Sequence, residues 1–284
     1  MSTTEIKNGL LKTPVEKQKF SFGGVFGYDL KDLPEEYSLG PVLEIKNQNI
    51  PSPSFVCVAE SLCSVSEYQE GVALEPAWTI KVISEILGNT SWLNKGTDLA
   101  TGAKAALKGF LERHNAPHSV EKQGVEYCAN SANWDAFWGN LALNHAKQSW
   151  FWIGTSGKLK MFDAIRGSMW RFKDEKRAVQ TGVMWHYEWT EKYIASEGTP
   201  SGAHAICITG WKGEFLKIQN SVGKEIGESG IQWMHKDLVN KLFKFGAIMF
   251  ADMPFAEEKI LKKSAKYRKK KLLERLFNFI KNVF

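Results

Sequence analysis

The chain changes period half-way along, and that change limits the folds open to it. Up to about residue 148 the apolar residues recur at helical spacing, whereas from Ser149 onward they come in short runs bounded by turn residues. The spacing predicts helices over 53–68, 75–87, 99–113 and 135–148, with Gly71 and Gly88 where helix-ending residues belong. Strands are expected over 149–154, 182–189, 204–211, 215–219 and 246–251, with one more beginning at Gly230. Helices first and strands afterwards describe an α+β protein of two unlike lobes. The helical lobe covers about 50–148 and the β lobe about 149–255, and a cleft between such lobes is a common place for a site.

With 284 residues, 43% hydrophobic and 24% charged, the chain can bury a substantial core. No run approaches the ~18 consecutive apolar residues of a membrane span. The first twenty residues contain no apolar stretch, so no secretory signal is expected, and the location expected is cytoplasmic or virion-associated. Residues 1–30 read as an arm, polar at first and then rich in Gly and aromatics (FSFGGVFGYDL). Four cysteines, at 57, 63, 128 and 207, suit free buried thiols rather than a disulfide framework.

The net charge of +6 belongs to one end of the chain. Residues 257–284 hold ten Lys or Arg against three Glu, which leaves the body close to neutral. A nucleic-acid-binding core is therefore not expected. Ile260, Leu261, Leu272, Leu273, Leu276, Phe277, Ile280 and Phe284 can form the apolar stripe of a basic amphipathic helix. Such a helix would dock on a protein assembly, on an anionic membrane surface, on nucleic acid, or back on its own body.

Three local patterns carry chemistry. Lys46-Asn47-Gln48 is followed, after a Pro- and Ser-rich loop, by Cys57-Val58-Ala59-Glu60-Ser61 opening a helix. A thiol at a helix N-terminus is expected to have a lowered pKa. In SGAHAICITGW, His204 follows a Gly-Ala turn and opens an apolar strand, where it can reach across a cleft. Asn220 ends the strand FLKIQ ahead of a Gly-rich turn, from which it can orient an imidazole. The other histidines, at 114, 118, 145, 186 and 235, read as surface or packing residues.

The order Cys, His, Asn, with separations of 147 and 163 residues from Cys57, resembles the papain-like cysteine peptidases, and most nearly their bacterial or phage-type members. The resemblance runs from about Leu33 to Asp252. LPEEYSLGPVLEIKNQ is similar to the family's segment before its oxyanion-hole glutamine, HAICITGW to its His strand, and IQNSVGKEIGESGIQWM to its Asn turn. Glu67-Tyr68 stand where many bacterial relatives carry Glu-Tyr, and HKDLVNKLFKFGAIMFA resembles their closing segment. The resemblance implies a papain-like two-lobed fold, helical N-terminal lobe and antiparallel β C-terminal lobe, acting on a polypeptide substrate without metal or cofactor. It also implies Cys57 as nucleophile, His204 as acid and base, Asn220 as the group orienting His204, and Gln48 with the Cys57 backbone N–H as oxyanion donors. Gly96, in NKGTDLATGAKAAL, falls in the substrate-binding glycine region.

The chain departs from the family pattern in three places. Eight residues (NIPSPSFV) separate Gln48 from Cys57 where the family has five, and keeping the spacing places Ser54 at the nucleophile, so Cys57 and Ser54 both stand as candidates. A helix cap at Ser52 or Ser54, with Pro53 near the first helical position, is compatible with either. Val222 occupies the position of the aromatic that shields the His–Asn hydrogen bond, which predicts weaker shielding. The arm is shorter than the family's inhibitory propeptide, so either the arm covers the cleft or control lies elsewhere. Two functions follow: a thiol peptidase, or a catalytically weak papain-fold protein that binds peptides, such as a component of a viral particle.

Overall fold

The computed structural model describes residues 9–13, 28, 30–154 and 159–251. Most of the N-terminal arm and the basic 257–284 segment lie outside the described residues. The helical half is built around α1 (Cys57–Glu70), whose residues from Cys57 to Tyr68 are all buried. A helix enclosed on every side is a central element rather than a surface one. Ser61 and Ser64 are accommodated by bonding to the preceding turn, Ser61 Oγ donating to the Cys57 carbonyl at 2.7 Å and Ser64 Oγ to the Glu60 carbonyl at 3.2 Å. Against it lie α2 (Pro76–Leu87) and α3 (Leu99–Ala106). Then follow α4 (Val120–Gln123), α5 (Val125–Ala129) and α6 (Ala136–Ala142). Gly71 and Gly88 end α1 and α2 in the left-handed conformation, as expected.

The other half is an eight-stranded sheet with the path β4-β10-β5-β7-β8-β9-β6. Its strands are β4 (Ser149–Ile153), β5 (Val179–His186), β6 (Tyr193–Ile194), β7 (Pro200–Lys212), β8 (Phe215–Gln219), β9 (Ile231–His235) and β10 (Ala247–Ala251). The short β2 (Glu36–Ser38) pairs with the far end of β7. Within this sheet all pairings are antiparallel except β6 with β9. Two further helices, α7 (Met161–Arg171) and α8 (Lys236–Leu242), pack together beside this sheet. The amide of Gln180 on β5 donates to Val58 O (2.9 Å) and Ser61 Oγ (2.8 Å), fastening the sheet to the first turns of α1.

Several boundaries differ from those the spacing predicts. The first helix begins at Cys57, not near 53, and neither Ser52 nor Ser54 caps it. Val56 is the N-cap and, as a hydrocarbon side chain, makes no cap bond, while the Ser54 hydroxyl is turned back onto the Gln48 carbonyl at 2.7 Å. The helix from 99 stops at Ala106. Gly109 then turns the chain at φ +87°, so close to the Ala142 carbonyl that an added Cβ would lie 1.9 Å from it. Phe110 N–H consequently bonds Ala142 O at 3.1 Å instead of continuing the helix. The helix expected over 135–148 spans only Ala136–Ala142, with a 3-10 turn over Leu143–His145. β5 begins earlier than 182 because both of its faces are buried, and no alternation marks where it starts.

Candidate active site

Asn220 and His204 meet at the junction of the two halves. His204 lies on β7 and is fully buried, and its Nε2 bonds Asn220 Oδ1 at 2.8 Å. The same oxygen accepts the Ser221 backbone N–H at 2.8 Å. With Asn220 Oδ1 as the acceptor, Nε2 carries the imidazole proton and Nδ1 keeps its lone pair. Nδ1 is buried and has no hydrogen-bond partner among the described residues.

Cys57 Sγ is approached by the backbone N–H of Ala205, the residue after His204, as well as by those of Gly9, Val58 and Cys57 itself. Ser54 faces elsewhere. Its hydroxyl and N–H both go to Gln48 O, and its carbonyl accepts from Gln48 Nε2 at 3.3 Å. These bonds close residues 48–54 into a tight loop, and the extra length protrudes as the exposed Ile50, Pro51 and Ser52. Gln48 is itself fully buried beside the Asn turn, with its N–H on Ser221 O (2.9 Å) and its Oε1 accepting from Ser221 Oγ (3.3 Å).

Residues below this loop hold it in place. Lys46 is buried and pairs with Glu67 of α1 (2.6 Å) and with Glu44 (2.5 Å), and it donates to Leu74 O (2.8 Å). Burial opposes its charge, yet the two carboxylates hold its pKa above the ordinary lysine value. Tyr68 reaches the opposite half, its hydroxyl donating to Gln219 Oε1 at 2.9 Å, next to Asn220. The Glu67-Tyr68 pair thus ties α1 both to the Gln48 segment and to the Asn strand.

The arm passes directly over the cysteine. Gly9 O accepts the Thr97 N–H at 2.8 Å, and β1 (Leu10–Leu11) runs parallel to β3 (Thr97–Asp98). Glycine is required on both sides of this contact: an added Cβ on Gly9 would lie 2.1 Å from Phe55 O, and one on Gly96 would lie 1.7 Å from Gly9 O. Gly96 therefore stands directly against Gly9. Leu10, 4% exposed, covers Gly182 of β5 beside Phe245. Thr13 then bonds Asp98, the residue that caps α3.

Under this cover the electrostatics run opposite to the helix-terminus expectation. Burial raises the Cys57 pKa to about 11, and the surrounding N–H groups offset it only in part. Burial also lowers the His204 pKa to about 4, against the opposing effect of its bond to Asn220. Thiol and imidazole are both neutral at pH 7.

An aromatic does flank the His–Asn bond, but it comes from β5. The Trp185 ring stands edge-on to His204 at 5.3 Å. Val183 is the register partner of His204, so Trp185, two residues on, lies on the same face of the sheet. Val222 packs below, bridging Asn47. The sequence offers Trp185 in an aromatic-rich run, MWHYEW, but strand register is needed to aim it. Among the other histidines, His186 is buried and stacks on Trp189 at 4.4 Å, and His145 bridges Glu70 and Glu112. All four cysteines are free and buried. Among the described residues no helix is long and apolar enough to cross a membrane, and no His, Cys, Asp and Glu cluster could hold a metal.

No family model matches the chain, and no curated protein sequence matches it. Solved structures do. Xylellain, a cysteine protease from Xylella fastidiosa, superposes with a TM-score of 0.70 at 14% identity, over 88% of this chain and 97% of that one. The fold is papain-like. Digestive procathepsin L 3 of Tenebrio molitor larval midgut matches with a TM-score of 0.60 at 15% identity, over 88% of this chain and 76% of its own. Bromelain from Ananas comosus, in complex with the E64 inhibitor, matches with a TM-score of 0.54 at 14% identity, over 77% of this chain and 99% of its own.

Proposed function

We propose that this chain is a papain-like thiol peptidase, held inactive while residues 9–13 lie over its cysteine. Cys57 is the nucleophile, His204 the acid and base, Asn220 the group that orients His204, and Gln48 with the Cys57 N–H the oxyanion donors. Gly96 lines the edge along which a peptide substrate would extend. The observation that carries this reading is the His204 Nε2–Asn220 Oδ1 bond of 2.8 Å, which leaves an Nδ1 lone pair on the strand whose next amide lies near Cys57 Sγ. Ser54 is passed over because its hydroxyl is engaged by the Gln48 carbonyl.

Displacing the arm would hydrate the cleft and relax the desolvation that keeps both groups neutral. Nδ1 can then take the Sγ proton, and the imidazolium keeps its Nε2–H on Asn220. The thiolate attacks the peptide carbonyl carbon, and two N–H donors hold the oxyanion. The imidazolium returns its proton to the departing amine, leaving an acyl-thioester. Water, deprotonated by His204, then releases the acid and restores the thiol.

The second reading is a papain-fold protein that binds peptides without cleaving them. Complete burial of Cys57, and a His204 Nδ1 that no group among the described residues engages, favour it. Hydrolysis of a mixed peptide library by full-length protein carrying Leu10→Asp, abolished by Cys57→Ala, is the outcome expected of the peptidase. Peptide binding with no cleavage by the Leu10→Asp protein would overturn it in favour of the binding protein.

A further inference from the structure

Asn220 can orient His204 only if its own amide is oriented. Oxygen and nitrogen of an amide are nearly the same size, and a flipped Asn220 would present Nδ2–H to the ring. The ring would then have to accept at Nε2 and carry its proton on Nδ1, the position from which it must accept the Cys57 proton. Some group must therefore hold the Asn220 amide the right way round.

Gln232 stands at that point. It lies on β9, whose alternation turns Gln232 and Met234 inward, and it is fully buried. A glutamine in a core position of a strand costs several kcal/mol unless its polar atoms are satisfied. Every one of them is. Gln232 Nε2 donates to Trp189 O at 3.0 Å and to Glu191 O at 2.9 Å, and Oε1 accepts from Asn220 Nδ2 at 3.2 Å. The two backbone carbonyls can only accept, so the nitrogen end must face them and the oxygen end must face Asn220. The Gly-rich turn makes room: an added Cβ on Gly227, at φ +64°, would lie 2.5 Å from Gln232 Cγ.

We infer that Gln232 is a positioning residue, which transmits the fixed direction of two backbone carbonyls through Asn220 to set the tautomer of His204. The sequence of bonds is Trp189 O and Glu191 O, then Gln232, then Asn220, then His204 Nε2–H. Ser221 N–H, which donates to Asn220 Oδ1 at 2.8 Å, pulls the same way. Removing Gln232 therefore weakens the orientation without abolishing it. The inference rests on the reading of Cys57 and His204 as the reacting pair for its consequence in rate, but its consequence for the tautomer stands independently.

The test uses full-length protein with 15N-labelled histidine, and NMR assigns the ring proton of His204. The expected result is an Nε2–H form in the native protein and a second, Nδ1–H population in Gln232→Met. Gln232→Glu keeps an acceptor for Asn220 and, as the neutral acid, a donor for one carbonyl, so it should retain the single Nε2–H form. With the arm displaced by Leu10→Asp, alkylation of Cys57 by iodoacetamide should slow about threefold to tenfold in Gln232→Met and recover in Gln232→Glu, as expected for one lost hydrogen bond. A Gln232→Met protein that melts lower but keeps a pure Nε2–H ring and an unchanged alkylation rate would overturn the proposal, leaving Gln232 a structural residue. If Gln232→Met fails to fold, the native ring decides: an Nδ1–H His204 overturns the proposal without any variant. An Nε2–H ring combined with an unreactive Cys57 in the Leu10→Asp protein would leave the positioning role standing and sink the peptidase instead.

Discussion

Truncating Leu10 to alanine should unmask Cys57. Leu10 is 4% exposed and sits over Gly182, so the substitution removes most of one buried aliphatic side chain from the contact that holds the arm down. Leu-to-Ala changes at such sites cost about 2 kcal/mol or more. Here the cost falls on the closed arrangement alone, because in the open one Leu10 is in water. About 2 kcal/mol corresponds to roughly a 30-fold rise in the open fraction. While the arm is closed, a thiol of pKa about 11 is ionised in roughly one molecule in three thousand at pH 7.5, so alkylation proceeds through the open fraction. The assay is the rate of iodoacetamide addition to each cysteine, read by peptide mass spectrometry, with Cys63 and Cys207 as buried internal references. Cys57 should react about 30-fold faster in Leu10→Ala while the reference thiols stay unchanged. Equal Cys57 rates in the two proteins would refute the idea that the arm controls access.

Other consequences follow from the same geometry. Gly9→Val should open the cleft further than Leu10→Ala, since its Cβ cannot coexist with Phe55 O, and this is measurable by the same alkylation rate. Trp185→Ala should cost about 3–5 kcal/mol in denaturant unfolding and, where the protein still folds, speed solvent exchange of the His204 ring proton; unchanged exchange would deny Trp185 its shielding role. Glu60 is buried on α1 with one carboxyl oxygen unpartnered, and burial raises its pKa to about 8 from the ordinary 4.5. A raised folded value means that its contribution is fully present below about pH 4.5 and is lost as pH rises through about 8. Glu60→Gln should therefore flatten the fall in melting temperature between pH 5 and about 9, and an unaltered slope would show that Glu60 does not titrate there.

The fold was legible because its decisive features are local. Apolar spacing separates the helical half from the sheet, and glycines such as Gly71 and Gly88 mark ends that the backbone enforces through a left-handed turn. His204 and Asn220 could be read as a pair because a strand and a turn deliver them to one place within sixteen residues of chain. What escaped the sequence depends on register and on long-range contact. Trp185 can be placed against His204 only once β5 is paired with β7. The long loop after Gln48 looks ambiguous in one dimension, and the bonds of Ser54 to Gln48 are what push its excess length outward. The helix-terminus expectation for Cys57 failed because a terminus lowers a thiol pKa only where water or a counter-charge can share the anion. Here burial outweighs four N–H donors. That the arm could cover the site was open in the sequence, but nothing there pointed to Gly9 packing against Gly96.

Whether Cys57 rather than Ser54 reacts with the help of His204 is decided by a peptidyl epoxide. Full-length Leu10→Asp protein is incubated with the reagent at neutral pH, digested, and the adduct located by mass spectrometry. One adduct is expected, on Cys57, lost in His204→Ala and retained in Ser54→Ala. An adduct on Ser54, or Cys57 labelling that is indifferent to His204, would contradict it.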